Sequence, residues 1–204
     1  RLAEPTLAFL ASGWNGLKVR LTAKAADTAA ASALLGEWEV RLRDELGDIV
    51  FGTDTDTMES VVLDLLRRKG WSLGCAESVT GGLVGARITD VAGASEVFRG
   101  SIVSYATEVK QQVLGVPEGP VVSEAAALAM ARGARRVLDS DVALSLTGVA
   151  GPAEQDGMPV GTLCCALVWP EGEATRTFRL PGQREQMRQF SVINALDWLR
   201  RTLS

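Results

Sequence analysis

The chain has 204 residues, of which 47% are hydrophobic and 23% charged, and a net charge of −4. That composition describes an ordinary globular protein of one or two domains with enough apolar material for a core. Its acidity argues against a general electrostatic grip on nucleic acid or an anionic membrane. No apolar run approaches the roughly 18–20 residues needed to span a bilayer and no signal peptide is visible; the odd, partly adjacent cysteines point to a reducing cytoplasm as the expected location.

Histidine is absent, which removes Ser-His-Asp and Cys-His catalysis and every zinc site that needs imidazole. Cys75, Cys164 and Cys165 are an odd count with two adjacent on an apparent strand. They suit buried small hydrophobes in a reducing compartment better than a disulfide framework or a metal set. Any catalysis then draws on Ser, Thr, Lys, Tyr, Asp or Glu. The first residue is Arg1 rather than Met, as expected of a processed or excised piece of a longer chain.

In chain order, "LKVRLTAKA" (17–25) alternates apolar and polar residues as a half-buried strand does. Leu35, Trp38, Leu42 and Leu46 repeat at helical spacing up to Gly47, and "DIVFG" (48–52) has the composition of a second strand. The polar "TDTDT" (53–57) marks a boundary. Residues 1–56 are thus expected to form a small α+β module and residues 57–204 a second domain. "GWNG" (13–16) matches the G-x-x-G pattern with which KH domains clamp a nucleic-acid backbone. It precedes a strand rather than joining two helices, and no basic stripe accompanies it, so a plain turn fits better.

The second domain opens with Met58, Val61, Val62 and Leu65 on one helical face, ending at "RRKG". "WSLGCAE" then suggests a strand, Gly82–Val91 a helix, "SIVSYA" a strand and "EVKQQVLG" a short helix. Ser123 is placed to cap an alanine-rich helix running to about Asp139. "VALSLTGVAGP" is a buried strand entering a Gly-Pro loop, "VGTLCCALVW" and "EATRTFRL" form a hairpin, and Met187 to Leu203 line a terminal helix. This alternation predicts a three-layer α/β/α domain with a mostly parallel mixed sheet and one antiparallel hairpin.

Ligands bind such sheets at the carboxyl ends of strands, and three of those ends are unusual here. "AESVTGG" places Ser78 and Thr80 before a helix, where unpaired N–H groups bind anions and Gly81 and Gly82 permit close approach. A plain helix cap at Ser78 or Thr80 explains the same letters. "SYATEVK" carries Tyr105 and Lys110; a buried, neutral lysine is the usual base for a serine nucleophile when histidine is missing, although a solvated helix lysine is the commoner occurrence. "LTGVAGP" sets Thr147, Gly148, Ala150, Gly151 and Pro152 in a loop that a simple turn would also account for.

Taken together, "AESVTGG", "FRGSIVSYATEVKQQVLGV", "VVSEAAALAMARGAR" and "LTGVAGP…PVGT" closely resemble the C-terminal domain of the CinA (competence/damage-inducible protein) family, the PncC-like nicotinamide mononucleotide deamidase domain. The resemblance covers about 57–204, and residues 1–56 resemble the family's KH-like module. The family's large N-terminal domain, similar to molybdopterin-binding proteins, is not expected among residues 1–204. The resemblance implies hydrolysis of the carboxamide of nicotinamide mononucleotide to nicotinic acid mononucleotide and ammonia, without a metal or cofactor, by a homodimer. It implies Ser78 as nucleophile, Lys110 as general base and Tyr105 assisting or orienting. The Thr80-Gly81-Gly82 amides are expected to hold the oxyanion, and the "TGVAGP" loop with Arg184 to contribute to substrate binding. Two departures stand out: "AGPAEQDGMPVGT" has fewer glycines than the family's loop, and Thr107 stands where the family commonly has Asn. A catalytically weak nucleotide-binding or scaffold domain is the alternative.

Overall fold

The structure, a computed structural model, describes residues 5–11 and 15–204. The chain divides into two compact units, Arg1–Thr55 and Asp56–Ser204.

In the first unit β1 (Thr6–Ala11) and β2 (Leu17–Thr22) form an antiparallel pair, with Ala11 opposite Leu17. Helix α1 (Thr28–Leu46) follows, capped by the Asp27 carboxylate, which accepts from the Ala30 amide. The strand expected at 48–52 does not form. Gly47 ends α1 at a φ of 58°, and Gly47–Ile49 closes into a single 3₁₀ turn. Glycine on either side of that short segment favours turn over ladder. β1 was not expected from the sequence. Gly13 and Trp14 of "GWNG" lie outside the described residues, and Gly16 precedes β2.

The second unit begins with α2 (Met58–Lys69). A reciprocal capping box between Thr57 and Ser60 starts it, and Gly70 in the left-handed region stops it. Then come β3 (Leu73–Glu77), α3 (Leu83–Thr89), β4 (Phe98–Val103), α4 (Thr107–Leu114), α5 (Glu124–Leu138), β5 (Val142–Gly148), β6 (Thr162–Trp169), β7 (Gly172–Arg179) and α6 (Arg184–Leu203). Ser123 caps α5 as its sequence suggests, its hydroxyl accepting from the Ala126 amide.

The strands form one five-stranded sheet in the order β4-β3-β5-β6-β7. β3 pairs in parallel with both β4 and β5, while β6 runs antiparallel to β5 and to β7. Only β6 is reversed, so the expected mixed, mostly parallel α/β sheet is what forms. Helices α2, α3 and α6 pack together on one face, and α4 and α5 on the other. α5 closes tightly on α4 because Gly133 lies against the Leu114 backbone; a Cβ there would meet the Leu114 carbonyl oxygen at 2.2 Å. The three thiols are free and buried, and desolvation raises their pKa values, as for inert core cysteines.

The parallel register matters most for function. Glu77 is the partner of Val103 on β4 and of Leu146 on β5. β3 and β4 therefore end level with Leu146 of β5, and the residues that follow, from Ser78, Ser104 and Thr147 onward, emerge side by side.

Candidate active site

A cavity of about 320 Å³ opens at these strand ends, near the lower limit of the ~300–1,000 Å³ typical of small-molecule sites. Ser78 and Val79 line it from the β3 end, Tyr105, Thr107 and Lys110 from the β4–α4 junction, and Arg184 from the start of α6. The last residues of β5, Thr147 and Gly148, which were expected in a loop, line it too, and the loop that follows supplies Ala150, Gly151 and Pro152 and continues through Glu154 and Gln155. Nine of the twelve expected site residues thus share one cavity. Thr80, Gly81 and Gly82 are not among its lining residues.

Lys110 is the unusual group. It is 2% exposed, yet no carboxylate pairs with it among the described residues. Its ammonium donates one hydrogen bond, 3.1 Å, to the carbonyl oxygen of Tyr105. An ammonium has three donors, so two are left without a protein acceptor among the described residues. Burial pushes the Lys110 pKa down from its ordinary 10.5, and the nearby Glu108 charge only partly opposes the shift. Ser78 is half-buried, and its hydroxyl has no hydrogen bond to Lys110 or to any other described residue.

The turn after Ser78 is built around a residue to which the sequence reading gave no role. Glu77 is fully buried, and its carboxylate accepts five hydrogen bonds. Oε2 takes the Thr80 hydroxyl at 2.7 Å and the amides of Gly82 and Val84 at 2.9 and 3.0 Å. Oε1 takes the Gly85 amide at 2.9 Å and the Ser101 hydroxyl at 2.7 Å. Glu77 thereby satisfies the start of α3 from within. The Gly82 amide and the Thr80 hydroxyl, expected to face a substrate or to cap α3, are bound to Glu77. Gly82 itself occupies the N-cap at a φ of 97°, a conformation that a Cβ disfavours.

Arg188 on α6 holds the opposite side of the same turn. Its guanidinium donates to the carbonyl oxygens of Val79 (3.1 Å) and Thr80 (2.7 Å). The Gly81 amide returns to the Ser78 carbonyl at 3.1 Å, and the Ser78 amide donates to Leu146 on β5 at 2.9 Å. Among the described residues the Val79 and Thr80 amides have no acceptor.

Thr147 is buried, and its hydroxyl is spent on the Val121 carbonyl at 2.7 Å. Asp156 ties the following loop back by accepting from the Val121 and Val122 amides at 2.7 and 2.9 Å. Arg184 spans the mouth, donating to the Gly151 carbonyl at 2.8 Å and the Tyr105 hydroxyl at 2.6 Å. Tyr105 therefore meets Lys110 through its main chain, while its exposed ring and hydroxyl meet Arg184. Glu77, Arg188 and Asp156 are the site residues missed in the sequence. Only Glu77 left a trace there, as a carboxylate ending a wholly apolar strand. Among the described residues no group of three or more His, Cys, Asp or Glu side chains is arranged to hold a metal ion, and no helix is long and apolar enough to cross a membrane.

Fold and cavity together define an α/β domain whose strand-end pocket brings a serine, a buried lysine and a mouth arginine together. The chain belongs to the CinA family: residues 55–203 match the CinA C-terminal domain and residues 1–52 the KH domain of damage-inducible protein CinA. A CinA-like protein of Frankia casuarinae is 49% identical across the whole chain, which covers 48% of that relative. One from Geobacter sulfurreducens is 42% identical over 92% of the chain and 47% of its own length. The chain thus spans about half the length of the curated relatives it matches. A CinA superfamily crystal structure from Klebsiella pneumoniae superposes with a TM-score of 0.69 at 30% identity, covering 72% of this chain and 95% of that one. The competence/damage-inducible protein of Agrobacterium tumefaciens gives 0.67 at 30% identity, over 72% and 93%.

Proposed function

We propose that this chain is an amidohydrolase that converts nicotinamide mononucleotide to nicotinic acid mononucleotide and ammonia by a Ser78–Lys110 mechanism. The observation that carries it is Lys110: a buried lysine with no carboxylate partner among the described residues, its pKa lowered, lining the same cavity as Ser78. Burial without a compensating carboxylate favours the neutral amine, which is the form a general base needs.

The steps follow from the groups present. The neutral Lys110 amine takes the Ser78 proton, directly or through one water, as Oγ attacks the carboxamide carbon. The negative charge on the carbonyl oxygen falls to the Val79 and Thr80 amides, which are free to donate among the described residues. This replaces the Thr80-Gly81-Gly82 amides as the expected donors, since Gly82 donates to Glu77 and Gly81 to Ser78. Protonated Lys110 then gives its proton to the departing nitrogen, the C–N bond breaks and ammonia leaves. Water attacks the acyl ester with Lys110 again as base, releasing the acid and restoring Ser78. Arg184 at the mouth suits the phosphate end of the substrate, with the Gly148–Pro152 main chain against the ribose. The protein works as a homodimer, which sedimentation would test.

The deciding experiment is ammonia release from nicotinamide mononucleotide by this chain beside Ser78→Ala. Release by the parent and loss in the variant is the expected result. No release by the parent overturns the proposal and leaves a nucleotide-binding domain, to be tested by calorimetry with the same mononucleotide.

A further inference from the structure

Beyond Ser78 and Lys110, we propose that Glu77 is the positioning residue of this site: its carboxylate sets the reactive turn in place and takes no part in the chemistry. The inference rests on the proposed role of Ser78 as nucleophile. Its basis is the density and direction of the bonds Glu77 makes. Three of its five donors are main-chain amides, of Gly82, Val84 and Gly85, which can only donate. They fall on both carboxylate oxygens, two on Oε2 and one on Oε1. The two hydroxyls extend the grip, Thr80 belonging to the turn itself and Ser101 to the neighbouring strand β4.

The main chain of Glu77 is equally fixed. Its carbonyl accepts from the Ser104 amide at 2.8 Å, one residue before Tyr105. One residue therefore joins the segment that carries Ser78, the start of α3 and the strand leading to Tyr105 and Lys110. Arg188 completes the device from the other side: Glu77 takes amides of the turn and Arg188 takes its carbonyls. With the Val79 and Thr80 carbonyls aimed at Arg188, those peptide planes are set, and with them the Thr80 amide. A glutamate is required for a specific reason. Glutamine has the same shape, but either orientation of its amide turns an NH₂ toward an obligate N–H donor, because both oxygen positions receive one.

The test compares the parent with Glu77→Gln and Ser101→Ala, the latter removing one donor from Oε1 without touching the turn. Three quantities are read on each: thermal unfolding, kcat and KM for ammonia release, and the rate at which a fluorophosphonate labels Ser78, with Ser78→Ala as the blank. The expected result is a cooperative Glu77→Gln fold with kcat and labelling rate both reduced about 10²-fold, the penalty of an ångström-scale misplacement. KM should stay within about threefold, because Glu77 touches no substrate. Ser101→Ala should lose a few-fold in the same two quantities with unfolding unchanged; if Glu77→Gln fails to fold, this variant decides. A labelling rate equal to the parent's in whichever variant folds, nil in both included, overturns the proposal, as does a loss confined to KM. Labelling is independent of the substrate, so a parent that releases no ammonia overturns the deamidase proposal without deciding the role of Glu77.

Discussion

Replacing Lys110 by methionine separates the proposed chemistry from folding with unusual clarity. The two side chains are similar in length, and the site is 2% exposed, so Met fills the volume without the charge. As general base Lys110 is expected to contribute about 10²–10⁴-fold to kcat, and Lys110→Met should lose that factor. Stability should move the other way. When protonated, Lys110 is held out of water with one carbonyl acceptor and no carboxylate among the described residues, so replacing it by apolar volume should be neutral or stabilising. The pH dependence has a definite sign. The folded-state pKa lies below the unfolded 10.5, so between the two values the unfolded chain binds more protons and parent stability rises with pH. The advantage of Lys110→Met should therefore be largest below the lowered folded-state value and shrink as pH rises toward 10.5. Activity of the parent should rise with pH through the lowered Lys110 value, and the variant should lack that limb. Ammonia release across pH and urea unfolding at neutral and alkaline pH measure both. A variant that keeps a third of parental kcat, or keeps the alkaline rise, refutes the assignment. One that unfolds several kcal/mol more easily refutes the account of Lys110 as an unpaired buried cation.

Other consequences can be measured separately. Arg184→Gln removes the guanidinium from the mouth, and a charge-assisted bond worth about 1.5–3 kcal/mol translates to a KM for nicotinamide mononucleotide about ten- to a hundredfold higher with kcat nearly unchanged; a kcat effect without a KM effect would remove Arg184 from binding. Thr147→Val leaves the buried Val121 carbonyl without its donor, and urea titration should show a loss of about 1–3 kcal/mol. Gly133→Ala forces a methyl against the Leu114 carbonyl oxygen and should cost about 1–3 kcal/mol through a shift of α5 from α4; an unchanged midpoint would mean that the helices separate freely. Asp156→Ala frees the Val121 and Val122 amides. Hydrogen exchange at those two positions should accelerate while the sheet amides keep their protection.

Much of this protein could be read locally. Helical periodicity, Ser123 as a cap and the alternation of strands with helices are properties of short segments, and each reappears in the fold. The strand expected at 48–52 failed for the converse reason, since a strand exists only through a partner and five residues beside Gly47 carry no information about one. The gathering of Ser78, Tyr105 and Lys110 was legible only as motifs at separate strand ends; the parallel register that levels those ends is a long-range property. Glu77 shows the limit best. Its letter closes an apolar strand, and nothing nearby says that its carboxylate turns back into the start of the next helix to take three amides, together with a hydroxyl from β4.

By itself the sequence determined the class of fold, the absence of imidazole chemistry and the residue types left to act, because composition and periodicity express directly which surfaces must be buried. Tertiary structure alone decided which amides near Ser78 are spent and which have no acceptor among the described residues, and that Lys110 is buried with no carboxylate partner among them while Tyr105 binds it through its carbonyl. Those properties depend on what packs against a group from elsewhere in the chain. Desolvation and hydrogen bonding, on which the proposed chemistry of Ser78 and Lys110 rests, come into being only when the sheet assembles.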